Sequence, residues 1–415
     1  MDILAQDSWR KMKTILEPPV ESLPIDPPEF SLVLGGALFQ LCRRSRLSGE
    51  ALERLYRQAI AFTLVTWLPL LLLSVLQRHA IRSAGIQVPF LHDIEANVRF
   101  LIALPALILA ELGVQKRISP LIRRFIDRRI IEVRDLPAFA KAVNSAQRVR
   151  DLVFVEVVVL ILVYTIGLWV WRSQIAWGDR TWYALPDQTH LNLTLAGYWY
   201  AFVSIPIFQF ILIRWYLRLG IWFRLLWQIS KLHLRLSAAH PDRAGGIGFL
   251  GGGSFAFAPI LFAQGALLSG FIADRVLIGK QPLMTFKLEA IGTVVFLVVI
   301  ILGPLLMFTP QLAATLRRSS AEYGLMASRF VLCFEEKWIR KGDYEPEELL
   351  RNEDVRSLAE MSNVYTNVRQ MRPIPFWTND IIRLVVAATV PLLPLSLTVL
   401  SPAELLKFVL KIAFK

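Results

Sequence analysis

Residues 288–308, LEAIGTVVFLVVIILGPLLMF, form a nearly continuous apolar run with a single charged residue, Glu289. A helix needs about 20 apolar residues to cross the roughly 30 Å hydrocarbon layer of a bilayer, and this stretch has that length. Six further runs of this kind occupy residues 59–76, 98–114, 152–171, 194–213, 254–273 and 381–400. The sequence therefore predicts an all-α, polytopic membrane protein with about seven transmembrane helices.

The basic residues indicate how these helices are oriented. Lys and Arg occur in the segment before the first predicted span, in the six connections between spans and in the segment after the last span. In chain order these segments carry 8, 2, 10, 2, 6, 3, 10 and 3 of these residues. High and low counts alternate, which predicts a cytoplasmic amino terminus and an external carboxyl terminus. The net charge of +13 then follows from membrane insertion and contact with anionic lipid, so we predict a lipid bilayer and no nucleic acid as partner.

The predicted spans divide the chain into five parts. They are a cytoplasmic arm with a short interfacial segment (1–58), six spans with cytoplasmic helical loops at 115–151 and 214–253 (59–308), a cytoplasmic helical subdomain (309–380), the seventh span (381–400) and an amphipathic helix on the outer face (401–415). Two spans are predicted to continue beyond the bilayer as helices, the fourth as far as His240 and the sixth as far as Gly342.

Aromatic residues cluster where the third and fourth spans meet the predicted outer surface. They are Trp169, Trp171, Trp177, Trp182, Tyr183, Tyr198, Trp199 and Tyr200. Their position is typical of an aromatic belt at the membrane interface.

The stretch 240–254, HPDRAGGIGFLGGGS, contains glycines at the spacing of a dinucleotide-binding fingerprint. That motif needs a strand before it and an acidic residue about 20 positions later. Here a predicted helix precedes the glycines, a span follows them, and the next acid is Asp274 at the far side of the bilayer. The sequence therefore argues against a nucleotide site.

Two interpretations of this glycine loop remain open. It is either a tight turn that returns the chain to the membrane, or an anion or gating site that binds a phosphate, carboxylate or lipid headgroup. The candidate residues for the second interpretation are His240, Asp242, Arg243, Gly245, Gly246 and Gly248. His233, His240 and Asp242 are too loosely spaced to indicate a metal site, and we predict no metal, cofactor or catalytic residue.

Three ionisable residues are predicted at one depth near the cytoplasmic ends of the spans: Glu111, Glu156 and Arg214. Charges at that depth are costly, so we expect them to pair inside the bundle or to line a wet cavity. A salt bridge or snorkelling side chains would be structural, whereas a proton or ion path would be functional.

The loop HPDRAGGIGFL together with the later segment SLAEMSNVYTNVRQMRPIPF resembles an uncharacterised family of bacterial multi-pass inner-membrane proteins. The resemblance implies a bacterial cytoplasmic membrane and brings no catalytic residues with it. The predicted architecture is also similar to insect chemoreceptor channels, in which a cytoplasmic helical layer joins four subunits, although no motif is shared.

These observations favour a non-enzymatic inner-membrane protein that passes or senses a small ion or solute as a homo-oligomer. A signalling or scaffold protein whose cytoplasmic helices bind a partner is the first alternative. A lipid-modifying enzyme is the second.

Overall fold

The computed structural model describes residues 30–33, 51–81, 86, 88–175, 181–186, 191–340 and 353–396. Helices make up 81% of it, and seven helical segments are long and apolar enough to span a membrane. The predicted all-α, multi-pass architecture is thereby confirmed. The orientation of the chain across the membrane and its division into domains stay predictions.

Besides two short 3-10 turns, Phe90–His92 and Val133–Asp135, the described part of the chain contains nine helical segments. In chain order they are α1 (Ala51–Leu76), α2 (Ile94–Asp127), α3 (Leu136–Arg150), α4 (Val153–Leu162, continued after a π-helical turn by Leu168–Ile175), α5 (Leu195–Ile229), α6 (Phe249–Leu277), α7 (Leu283–Arg340), α8 (Glu353–Arg369) and α9 (Thr378–Ser396). All but α3 and α8 meet the length and hydropathy of a membrane span.

Short turns and strands cover one end of the bundle. A 3-10 turn, Phe90–His92, leads into α2, and the strands β1 (Ala184–Pro186) and β2 (Leu191–Leu193) pair antiparallel before α5. Val88 forms a parallel bridge with Thr181, which ties the entry to α2 to the entry to α5.

The helix α6 is the most buried of the seven spans and packs against both α2 and α9. At Gly265 the backbones of α6 and α9 approach so closely that an added Cβ atom would overlap the carbonyl oxygen of Ala388. Small residues permit such close helix contacts in membranes. The opposite case is α4, which is the least buried span and packs mainly against α5.

Replacing Gly265 with leucine is expected to push α6 and α9 apart and to lower the free energy of unfolding by about 2 kcal/mol. Gly292 on α7 is the matched control, because an added Cβ there meets no atom within 4 Å. The midpoint of SDS-induced unfolding measures both variants. Equal midpoints for Gly265→Leu and Gly292→Leu would show that the close α6–α9 contact is not needed.

The sequence placed the end of the fourth helix near His240, and this prediction is wrong, because α5 ends at Ile229. The side-chain amide of Gln311 on α7 donates hydrogen bonds to the carbonyl oxygens of Ser230 and Leu232, at 2.7 and 2.9 Å. These bonds satisfy acceptors that the end of a helix leaves without partners. The fourth helix therefore continues well past its predicted span, which ends at residue 213, but stops before His240.

After α5 the chain runs in an extended path. Leu234 forms an antiparallel bridge with Ile131, and the backbone N–H of Arg235 donates to the carbonyl oxygen of Ile130 at 2.7 Å. Leu232, Leu234 and Leu236 alternate with polar residues, and this period of two indicates extended backbone rather than helix.

The sixth span does continue as predicted, since α7 reaches Arg340 and packs against α8. The two helices form a hairpin beyond the bundle, which we call the α7–α8 hairpin. Most of the predicted amino-terminal arm and the whole predicted amphipathic helix at residues 401–415 lie outside the described residues.

Candidate functional site

The three charged residues predicted to meet near one membrane surface are brought together, and we call them with Arg218 the Glu111 cluster. Arg214 lies 3.7 Å from Glu111 and 3.7 Å from Glu156, joining α5 to α2 and α4. All three side chains are less than one-fifth exposed. The predicted pairing inside the bundle is thus present, whereas its functional role is a separate question.

Arg218 belongs to this cluster but was not singled out from the sequence. Its Nη1 donates to Glu111 Oε1 at 2.7 Å, and its side chain is only 4% exposed. Its guanidinium also lies 4.8 Å from the ring centre of Trp215. Arg218 follows Arg214 by four residues, so both share one helix face, and that spacing was the available signal.

A short piece of the amino-terminal region closes this cluster. Phe30, Leu32 and Val33 are buried, and the carbonyl oxygen of Val33 accepts a hydrogen bond from Arg218 at 3.3 Å. Ser31 donates its hydroxyl to Gln115 at 2.6 Å. The predicted interfacial segment thus begins inside the bundle, although residues 34–42 lie outside the described chain.

A second ionisable cluster surrounds the start of α2, and we call it the Asp93 cluster. Asp93 caps the helix by accepting from the N–H of Ala96 at 2.7 Å. Asp274, from the end of α6, accepts from the N–H groups of Ile94 and Glu95, each at 2.9 Å. Two carboxylates therefore satisfy three of the four free N–H groups at this helix start and face its positive dipole.

Arg99 connects this capped helix end to α5. It forms an ion pair with Glu95 and donates from Nη1 to the hydroxyl of Tyr200 at 2.7 Å. Arg99 and Tyr200 each begin a π-helical turn, Arg99–Ala103 on α2 and Tyr200–Ser204 on α5. Turns of this kind are rare and are frequent at functional sites.

The two clusters lie far apart along the membrane-spanning helices. Asp93 directly precedes α2 and lies 18 positions before Glu111, which at 1.5 Å per residue is about 27 Å. In a span that crosses a layer of roughly 30 Å, this separation is expected to place one cluster near each surface of the bilayer.

The predicted aromatic belt is wrong for some of its residues and stays a prediction for the others. Trp169 and Tyr198 are exposed, by 70% and 53%, as a belt requires. In contrast, Trp182 is fully buried and Tyr200 almost so, because both pack into the Asp93 cluster, where Trp182 Nε1 donates to Asp93 at 2.8 Å. The side chain of Trp171 and residue Trp177 lie outside the described residues.

Burial dominates the electrostatics around Trp182. It raises the pKa of the Asp93 carboxyl, although the hydrogen bonds from Ala96 and Trp182 lower it in part. Burial, followed by the nearby charge of Asp93, raises the pKa of Tyr183 to about 12. The Tyr183 hydroxyl therefore stays neutral at physiological pH.

The glycine loop is organised around its own carboxylate. Asp242 accepts from the backbone N–H groups of Ala244, Gly246 and Gly248 at 2.9 to 3.0 Å, and His240 Nδ1 lies 2.9 Å from it. Burial by itself would raise the pKa of Asp242, but the three N–H donors and His240 lower it overall. The amides that could hold an anion are thus bound to Asp242.

Positive backbone φ angles explain part of the loop sequence. Gly245 and Gly246 have φ values of +67° and +97°, and Arg243 also adopts the left-handed region at +51°. An added Cβ at Gly245 would lie only 3.0 Å from Leu312 on α7. The turn and its close packing against α7 therefore account for these glycines without a ligand.

The two segments that carry the resemblance are in contact. The N–H of Arg372 donates to the carbonyl oxygen of Arg243 at 2.8 Å. Gly251 lies against Phe376 and Asp380, and an added Cβ atom would come within 2.7 Å of each. The glycine loop and the MRPIPF segment thus form one structural unit where α6 and α9 begin.

Extended chain, and not the helix predicted from the sequence, precedes the glycines of the loop. A single bridge at Leu234 replaces the strand of a nucleotide-binding fold, and α6 is a membrane span. His233 and His240 contact different carboxylates, Asp135 and Asp242.

Together, the seven apolar helices define an integral, multi-pass membrane protein. No protein-family model, no curated protein and no solved structure matches the chain. The resemblance to a bacterial inner-membrane family therefore stays a prediction.

Proposed function

We propose that the protein passes or senses a small ion or solute in the bacterial inner membrane, and that it does so as a homo-oligomer. The observation that carries this proposal is the pair of ionisable clusters on membrane-spanning helices, one near each surface. Ionisable side chains are expensive inside a bilayer and commonly mark ion or substrate pathways. Rare π-helical turns at Arg99 and Tyr200 support the same conclusion.

The homo-oligomer is supported by the packing of a single chain. Between the two clusters, buried apolar side chains fill the described interior, among them Leu104, Leu107, Phe208, Leu261 and Ala263. A hydrated path through this packed core is unfavourable, so passage requires a route between subunits. A sensor whose subunits respond together must likewise be an oligomer.

A scaffold or signalling role is the second candidate, and the α7–α8 hairpin favours it. The hairpin exposes large apolar side chains, namely Leu325, Met326, Val331, Leu332, Ile339 and Val355. A groove of about 500 Å³ lies between its helices, lined in part by Leu358 and Met361. In the homo-oligomer, these side chains would contact further copies of this chain. In a scaffold or signalling role, they would contact another protein.

Replacing Glu156 with glutamine is expected to reduce ion flux into liposomes by about tenfold, because it removes a carboxylate from the Glu111 cluster while Arg214 keeps Glu111 as a partner. Flux of protons and of monovalent ions is measured with the purified chain in sealed vesicles. Glu289→Gln is the matched control, since Glu289 is exposed at the start of the sixth span. Equal flux through both variants contradicts a role for the cluster in passage.

A further inference from the structure

The guanidinium of Arg372 has two donors without an acceptor. Its Nε and Nη2 atoms are buried and have no hydrogen-bond partner among the described residues. Its Nη1 donates to the carbonyl oxygen of Phe376 at a long 3.4 Å, and its Cζ lies 3.3 Å from the ring centre of Trp377. Arg372 as a whole is half-buried, but these two nitrogen atoms are shielded from solvent. Unmade hydrogen bonds at shielded charged atoms are costly, so this arrangement requires an explanation.

A second arginine lies beside Arg372 in the fold. Arg243 is joined to Arg372 by the backbone hydrogen bond between them. Burial, and then the positive charge of Arg243, lowers the pKa of Arg372. Two like charges held together by the fold favour an anion between them.

The nearest carboxylates are already bound to backbone groups. Asp242 accepts from three loop amides, and Asp380 accepts from the N–H of Trp377 at 2.8 Å. Both attract Arg372 electrostatically, yet neither forms an ion pair with Arg243 or Arg372 within the described chain. The two arginines and the two aspartates therefore balance in charge, but the guanidinium donors of Arg372 stay without an acceptor among the described residues.

Three more arginines add positive charge beside Arg243 and Arg372. Arg117, Arg124 and Arg128 on α2 stack over the rings of Phe255 and Phe249 at 4.9 to 5.9 Å, beside the glycine loop. Arg243 precedes the start of α6 by six residues, and Arg372 precedes the start of α9 by six. These residues thus lie where spans begin, at the depth of lipid headgroups.

We propose that Arg243 and Arg372 bind one phosphate group beside the glycine loop, carried either by a phospholipid headgroup or by a soluble phosphate compound. Arginine suits this ligand because its planar fork of N–H donors matches phosphate oxygens. The site differs from the anion-site interpretation that the sequence left open, since the loop amides take no part in it. It is also independent of the proposed passing or sensing of an ion.

The test uses the full chain purified in a mild detergent. Native mass spectrometry compares retention of phosphatidylglycerol with that of phosphatidylcholine, and a calorimetric titration measures binding of inorganic phosphate. The variants are Arg372→Gln and Arg243→Asn, because asparagine tolerates the left-handed backbone at position 243. Arg329→Gln is the control, since it removes a positive charge from an exposed position on α7.

Both variants are expected to weaken binding by at least tenfold relative to Arg329→Gln. Loss of phosphatidylglycerol alone identifies a lipid headgroup, whereas loss of inorganic phosphate identifies a soluble ligand; either supports the site. If Arg372→Gln fails to fold, Arg243→Asn alone carries the test. The proposal is overturned if Arg243→Asn binds both probes as tightly as the control, or if the unaltered chain neither binds phosphate nor prefers phosphatidylglycerol.

Discussion

Replacing Trp182 with alanine is expected to lower the free energy of unfolding by about 4 kcal/mol. Removing a fully buried tryptophan leaves a large cavity, and losses of about 3 to 5 kcal/mol are typical. The same change removes the indole N–H that donates to Asp93 and leaves that buried carboxyl with fewer partners. SDS-induced unfolding followed by tryptophan fluorescence or circular dichroism measures the loss.

Two further variants separate the effect of the cavity from the effect of the lost hydrogen bond to Asp93. Trp182→Phe keeps most of the ring but removes the hydrogen bond to Asp93, so it is expected to cost about 1 to 3 kcal/mol. Trp169→Ala, on the exposed face of α4, is expected to change stability by less than about 1 kcal/mol. If Trp182→Ala is as stable as Trp169→Ala, Trp182 is not a core residue, and both tryptophans belong to the aromatic belt.

Replacing Arg218 with methionine is expected to cost about 3 to 5 kcal/mol of stability. Methionine retains much of the apolar stem, but Glu111 loses its 2.7 Å partner within the bundle. Removing one member of a buried pair costs this much because the other charge is left without compensation. Arg214 lies 3.7 Å from the same carboxylate and offsets only part of the loss.

A double variant tests that explanation. Arg218→Met combined with Glu111→Gln is expected to be more stable than Arg218→Met by itself, because no carboxylate is left uncompensated. Arg318→Met serves as the surface control, since the ion pair of Arg318 with Glu322 is largely exposed and contributes at most about 1 kcal/mol. If the double variant is less stable than the single one, charge compensation is not the reason for the loss.

The spans could be predicted because membrane insertion imposes a length and a composition on each helix separately. Three members of the Glu111 cluster could also be predicted from the sequence. Charged residues inside spans are few, and the depth of each in the membrane can be counted in residues from the end of its span. Residues 288–308 identify a span in this way, whereas the continuation of α7 to Arg340 was predicted from the residues that follow them.

The Asp93 cluster could not be predicted because its members are far apart in the sequence. Asp274 caps a helix that starts 180 positions earlier, and Trp182 reaches Asp93 from another connection. A tryptophan beside a span end fits an interface equally well until its neighbours are known. The end of α5 was missed for a different reason, because the alternation at Leu232, Leu234 and Leu236 was mistaken for a continuing helix.

The stoichiometry of the unaltered protein, measured by native mass spectrometry from a mild detergent, tests the central claim most directly. Since apolar side chains pack the described interior of a single chain, passing or sensing an ion is proposed to require several copies. A closed homo-oligomer, with a mass that is a whole multiple of 47.2 kDa, is the expected result. A monomer that is fully active in liposomes would contradict the account.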